Sequence, residues 1–162
     1  SPCPSADTIS AEALRAVRLM TCVVFYILGG RARANRLDIG CRLAEKAWKL
    51  GHRVYLHAAS ANQARQLDKL LWSFRDGSFL PHGLIGEVDP ELNPVLVGWQ
   101  PEAGEEHDVL INLASEVPPF FSRFERVAEP IDQHPDTRDA GRARYRFYRD
   151  RGYPLETHKI ER

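Results

Sequence analysis

The chain has no excess charge of either sign: 22 Lys and Arg stand against 22 Asp and Glu in 162 residues. That balance argues against a protein that coats nucleic acid by charge alone, because such binding rests on a net surplus of basic side chains. A local basic patch is still allowed. Long apolar runs are missing too. The longest, Cys22 to Leu28, is a strand's length and far short of the ~20 residues of a membrane-spanning helix. Cysteine is scarce: Cys3, Cys22 and Cys41 make no CxxC pair and have no His at ligand spacing, so free thiols in a reducing compartment are expected. There are no repeats, no low-complexity tract and no Gly/Ser linker, which predicts one domain.

Catalytic signatures are equally sparse. The residues after the first apolar run read Gly29-Gly30-Arg31-Ala32-Arg33, which is neither GxGxxG nor GxxxxGK[ST]. Arg31 and Arg33 could hold a phosphate, but no third glycine lets the backbone close around it. The six histidines form neither HExxH nor HxH, and no GxSxG elbow is present. His107-Asp108 reads as a strand entry rather than a catalytic pair, and Glu105-Glu106 sits in a polar loop with nothing to separate the two pKa values. No metal and no cofactor is expected, and the chain reads as a cytoplasmic protein without enzymatic activity of its own.

Regular structure is well signalled. Thr21 to Leu28 is continuously apolar and β-branched, a buried strand that ends at a glycine pair. Leu37, Cys41, Ala44, Ala47 and Trp48 keep the spacing of one face of a helix over about Arg36 to Leu50, with Gly51 placed for a left-handed C-cap. Arg53 to His57 is a second strand. Ser60 and Gln63 match a capping box opening a helix to about Trp72, with Ala64, Leu67, Leu70 and Leu71 inward. Pro81-His82-Gly83 lies in a loop. Val95–Gly98 and Val109–Leu113 read as strands, Pro118-Pro119 opens a short helical turn through Phe124, and Glu125–Ala128 is a further strand. Asp136 or Thr137 caps a last helix that runs to about Arg151 and stops at Gly152. Strands alternating with helices predict a single α/β, Rossmann-like domain: an open, mostly parallel sheet with helices on both faces. The only methionine, Met20, stands just before the first strand; residues 1–19 read as an upstream extension and 20–162 as the domain.

The last helix carries the clearest surface signal. It holds Arg138, Arg142, Arg144, Arg146, Arg149 and Arg151, with Tyr145, Phe147 and Tyr148 among them. At about 100° per residue, Arg138, Arg142, Tyr145 and Arg149 share one stripe with Arg146 at its edge, and Ala140, Ala143 and Phe147 are expected to face the core. Two acids on the helix, Asp139 and Asp150, cannot neutralise six arginines. Forked guanidinium donors beside a tyrosine suit carboxylate recognition, with the ring covering apolar partner atoms. Pattern alone does not separate an acidic peptide from a nucleic-acid backbone; the neutral net charge favours the peptide.

Four stretches, in order, carry a resemblance: VVFYIL; RVYLHAASANQARQLDKLLWSFRDGSFLPHGLIGE; VLINLASEVPPFFSRFERVAEPI; and RARYRFYRDRGYPLETHKI. Together they cover most of Thr21 to Ile160, and the Trp72-to-His82 run joined to a basic C-terminal helix is the most specific part. The chain resembles the chi subunit of the bacterial DNA polymerase III holoenzyme. The resemblance implies a non-catalytic accessory subunit of the clamp-loader complex that binds the acidic, Phe-terminated tail of single-stranded-DNA-binding protein and joins the psi subunit. DNA would be contacted only indirectly, and the family also pairs with a helicase-like partner in repair. Carried over, the tail-binding residues would be Arg142, Tyr145, Arg146 and neighbouring Ile131, with Arg138 and Arg149 flanking; Arg146 stands where the family can have Lys. The psi-facing residues would be Trp72 and Phe79, whose alternative reading is core aromatics. The segment from Val88 to Glu106 differs freely from the family. The competing readings are a nucleotide- or phosphate-dependent enzyme using Arg31 and Arg33, and direct binding of single-stranded DNA by the basic helix.

Overall fold

A computed structural model describes residues 21–29, 35–73, 80–100 and 108–160. Arg31, Arg33, Phe79, His107, Glu105-Glu106 and the 1–19 extension lie outside them. Seven strands form one sheet, β1 (Cys22–Leu28), β2 (Val54–His57), β3 (His82–Leu84), β4 (Val95–Gly98), β5 (Val109–Asn112), β6 (Arg126–Ile131) and β7 (Leu155–Ile160). The spatial order is β3-β4-β2-β5-β6-β1-β7, and every pairing is parallel. Helices α1 (Arg36–Lys49), α2 (Ala61–Ser73) and α3 (Pro135–Asp150) cover it, with a 3₁₀ turn at Phe121–Arg123. The expected α/β class, the parallel open sheet and helices on both faces are all present.

Alternation along the strands assigns the two faces. Val54, Leu56, Val95, Val97, Val109 and Ile111 pack with Cys41, Ala44 and Ala47 of α1 and Ala64, Leu67 and Leu71 of α2. Their strand neighbours Tyr55, Leu96 and Leu110 join Val23, Phe25, Val127 and Ile131 on the other face, under Tyr148 of α3 and Phe120, Phe121 and Phe124. Burial on both faces is why these strands read as unbroken apolar runs.

The helix ends follow side-chain chemistry. Asn35 and Asp38 close a capping box on α1, the Asn35 side chain accepting from the Asp38 N–H at 2.9 Å and Asp38 Oδ2 from the Asn35 N–H at 3.1 Å. At its far end Gly51 adopts φ +89, and the N–H groups of Gly51 and His52 donate to the carbonyls of Trp48 and Ala47, a Schellman closure. On α2, Ser60 Oγ accepts from the Gln63 N–H, but Gln63 Oε1 reaches the N–H of Ala59 rather than that of Ser60.

Three expectations are corrected. The α3 cap is His134, whose Nδ1 accepts from the Asp136 N–H at 3.3 Å, with Pro135 opening the helix where a missing N–H and a fixed φ cost nothing. His82 to Leu84 is a strand, not a loop, and β7 was not anticipated. The buried residues of α3 are Gly141, Arg144 and Tyr148; of the expected Ala140, Ala143 and Phe147, Ala143 is exposed, Ala140 is half-buried, and Phe147 is half-buried and packs against the core beside Phe121. Cys41 is a buried free thiol whose pKa burial pushes up to about 12.

Candidate functional site

The arginine helix is held on the sheet by a carboxylate with no solvent exposure. Glu129, in the middle of β6, is 0% exposed and Arg144 only 4%. Arg144 Nε donates to Glu129 Oε1 at 3.0 Å, while Tyr148 Oη and Asn112 Nδ2 donate to Oε2 at 2.8 and 3.0 Å. A second arm of Arg144 donates to the Ser115 carbonyl at 2.8 Å, and Asn112 Oδ1 accepts from the Ala114 N–H. Burial pushes the Glu129 pKa up, opposed by the Arg144 charge and the three hydrogen bonds. Tyr148 is pushed up by burial and by the adjacent carboxylate, so its hydroxyl remains a donor. Sequence reasoning counted Arg144 among the surface arginines; the structure removes it from that surface and makes it the helix's internal anchor.

Close approach of α3 depends on Gly141. A Cβ there would stand 2.6 Å from Ile131 Cδ1. Ile131 itself is 3% exposed, so of the tail-binding candidates it supports the helix from beneath rather than facing solvent. Arg36 of α1 reaches across the end of the sheet, donating to the Leu113 carbonyl and, at 3.4 Å, to Thr137 Oγ1 of α3. Burial lowers its pKa.

With Gly141, Arg144 and Tyr148 inward, the Arg138–Arg142–Tyr145–Arg149 stripe lies about a quarter turn from the buried line rather than opposite it. Its members are graded accordingly. Arg142, Arg146 and Arg149 are exposed, whereas Arg138 is half-buried with its Nε lacking a partner among the described residues. Tyr145 is 36% exposed and sets its ring edge-on to Phe25, the centroids 5.3 Å apart. The acids of the helix are weak competitors. Arg142 and Asp139 meet only at 3.9 Å, both more than half exposed, and Arg149 pairs with adjacent Asp150 at 3.2 Å. Such solvated pairs are worth ~1 kcal/mol or less. Arg151, outside the stripe, lies over the Phe147 ring, 3.7 Å from its centroid. The result is a fixed tyrosine ring rimmed by guanidinium groups that can be drawn to an anionic partner.

A second exposed aromatic lies on the opposite face of the sheet. Trp72, at the end of α2, is 64% exposed, so the core-aromatic reading does not apply to it. Its ring meets that of His82 at 4.8 Å. His82 is pinned between α2 and β3 by ring-nitrogen contacts to the Leu80 carbonyl at 2.7 Å and the Asp68 carbonyl at 3.1 Å. Among the described residues, no group of three or more His, Cys, Asp or Glu side chains could hold a metal, and no helix is long and apolar enough to cross a membrane.

Comparison with known proteins places this geometry among relatives. Residues 20–156 match the family model described as DNA polymerase III chi subunit, HolC. The chain is 47% identical over 143 residues to the DNA polymerase III subunit chi of Pseudomonas aeruginosa, covering 88% of this chain and 99% of the relative. It is 30% identical over 137 residues to the Haemophilus influenzae subunit chi, covering 84% and 95%, and 30% over 138 residues to that of Escherichia coli, covering 82% and 94%. Among solved structures, the crystal structure of T4 UvsW superposes with a TM-score of 0.61 at 11% identity, over 90% of this chain and 42% of that one. The last likeness is one of fold alone.

Proposed function

Because the chain belongs to the DNA polymerase III chi subunit family, and so is an accessory subunit of the replicative polymerase, we propose that it bridges single-stranded-DNA-binding protein to the clamp loader without catalysis of its own. One arm is the α3 surface. Arg142, Tyr145 and Arg146, flanked by Arg138 and Arg149, receive the acidic C-terminal tail of the binding protein, whose terminal Phe packs beside the Tyr145 ring. The other arm is Trp72 with Phe79, which engages the psi subunit. A helicase-like repair protein is a further partner that could share one of these arms.

The observation that carries the reading is Tyr145, a ring fixed on Phe25 and rimmed by exposed arginines with only weak internal partners. Individual exposed charge pairs contribute ~1 kcal/mol or less, so the anchor is one ring, with the arginines supplying rate and selectivity. Titrating a Phe-ended acidic peptide tests it by calorimetry. Wild type should bind at micromolar strength, more weakly as salt rises. Arg142→Ala should lose roughly three- to tenfold in affinity. Equal affinity in the two proteins, or tighter binding to single-stranded DNA than to the peptide, would overturn the proposal.

A further inference from the structure

A single exposed ring recognises a partner well only when its orientation is set beforehand. Binding that must first immobilise a free side chain gives up part of its affinity. Trp72 stands near the end of α2, so the helix fixes its backbone and leaves the two side-chain torsions to be settled. At 64% exposure the core holds little of the side chain. Among the described residues, the ring that Trp72 meets is that of His82, with centroids 4.8 Å apart and planes at 61°.

His82 opens β3, a strand of three residues that are all buried, and its side chain is only 1% exposed. A buried imidazole needs partners for its nitrogens, and both have one. Nδ1 lies 2.7 Å from the Leu80 carbonyl and Nε2 lies 3.1 Å from the Asp68 carbonyl. Asp68 Oδ1 stands 3.5 Å from the same Nε2. Leu80 precedes β3, whereas Asp68 belongs to α2, one turn before Trp72. In an α-helix the Asp68 carbonyl also accepts from the N–H four residues on, which is that of Trp72. One carbonyl thus serves both the backbone of the exposed tryptophan and the ring that its indole meets. The imidazole is tied on one side to the approach of β3 and on the other to α2, so Trp72 rests against a surface fixed by the backbone.

Packing alone does not call for a histidine here. A leucine would fill such a space without needing partners, but it could not bond the carbonyls of two separate elements. What the histidine adds is orientation. On the reading that Trp72 engages the psi subunit, we propose that His82 is the positioning residue of that arm. The buried imidazole holds the indole in one orientation, so that psi meets a ring already ordered. Trp72 makes the contact and His82 acts through it.

The test uses the full chain labelled with nitrogen-15, the indole N–H of Trp72 being assigned by its loss in Trp72→Phe. Relaxation should give that N–H an order parameter of about 0.85 in wild type and below about 0.6 in His82→Gln. The glutamine amide can still bond one carbonyl, but it puts no ring against the indole. Psi titrated by calorimetry should bind His82→Gln roughly two- to tenfold more weakly than wild type. The acidic peptide should bind both proteins equally, since α3 and α2 cover opposite faces of the sheet. Thermal melts show whether the variant is folded. Should it unfold, His82→Leu, which fills the space and bonds neither carbonyl, carries the same two expectations. An indole already mobile in wild type would overturn the proposal without any variant. So would a folded variant in which indole order and psi affinity fail to fall together. Psi affinity left intact by Trp72→Ala would overturn instead the reading of Trp72 as the psi arm, and indole order would still report whether His82 holds the ring.

Discussion

A carboxylate with no solvent contact needs its oxygens addressed from within, and Glu129 has them divided among Arg144, Tyr148 and Asn112. Removing one partner strands the other in a low-dielectric interior. Arg144→Met is expected to cost about 3–5 kcal/mol by denaturant unfolding, and the double variant with Glu129→Leu to be more stable than that single one. A loss under about 1 kcal/mol for Arg144→Met would contradict this role for the pair. His57 makes a separate statement about pH. Its folded-state pKa is depressed to about 4 by burial, below the ~6.5 of the unfolded chain. The unfolded chain therefore binds the proton first as pH falls. Stability from this group is complete above about pH 6.5 and declines as pH drops toward 4, by roughly 2–3 kcal/mol. Unfolding free energies across that window should lose this slope in a folded His57→Leu variant. Neither group was legible in the sequence. Arg144 reads as one surface arginine among six, because its carboxylate lies 15 residues away on a strand. Arg142 and Tyr145 were legible, since their exposure follows from helical spacing alone.

At the scale of the element, α3 is set by what lies beneath it more than by its own periodicity. Hydrophobicity along the helix points to Ala140, Ala143 and Phe147, yet the buried line is a glycine, an arginine and a tyrosine. A glycine carries no apolar signal, but it lets the helix settle against Ile131. Gly141→Leu should therefore cost about 1–3 kcal/mol through overpacking, despite the better helix propensity of leucine. Peptide affinity should fall with it, and Ile131→Ala in the same chain should restore part of both. Thermal melts together with calorimetry would check this; a stabilised Gly141→Leu protein would refute it. The strands divide by the same physics. β1, β2, β4 and β5 are covered on both faces and spell out apolar runs. The outermost strands do not: β3 has three residues including Gly83, and β7 reads Leu-Glu-Thr-His-Lys-Ile with its middle exposed. Its place comes from pairing with β1, from Val23↔Leu155 to Leu28↔Ile160, which no local pattern announces.

For the molecule as a whole, the sheet separates two exposed aromatic features: Tyr145 on α3 over one face and Trp72 on α2 over the other. A bridging protein benefits from that separation, because two partners can be held at once without collision. Trp72 is exposed enough that Trp72→Ala should change stability by no more than about 0.5–1 kcal/mol, while abolishing capture of the psi subunit and leaving peptide affinity as in wild type. Co-purification with psi reads the first effect and peptide titration the second. The most direct test of the bridging claim uses intact single-stranded-DNA-binding protein and the same protein lacking its last acidic residues, each passed over this chain on a surface. Retention of the intact form alone, weakened by Arg142→Ala and by salt, is the predicted result; equal retention of the truncated form would contradict it.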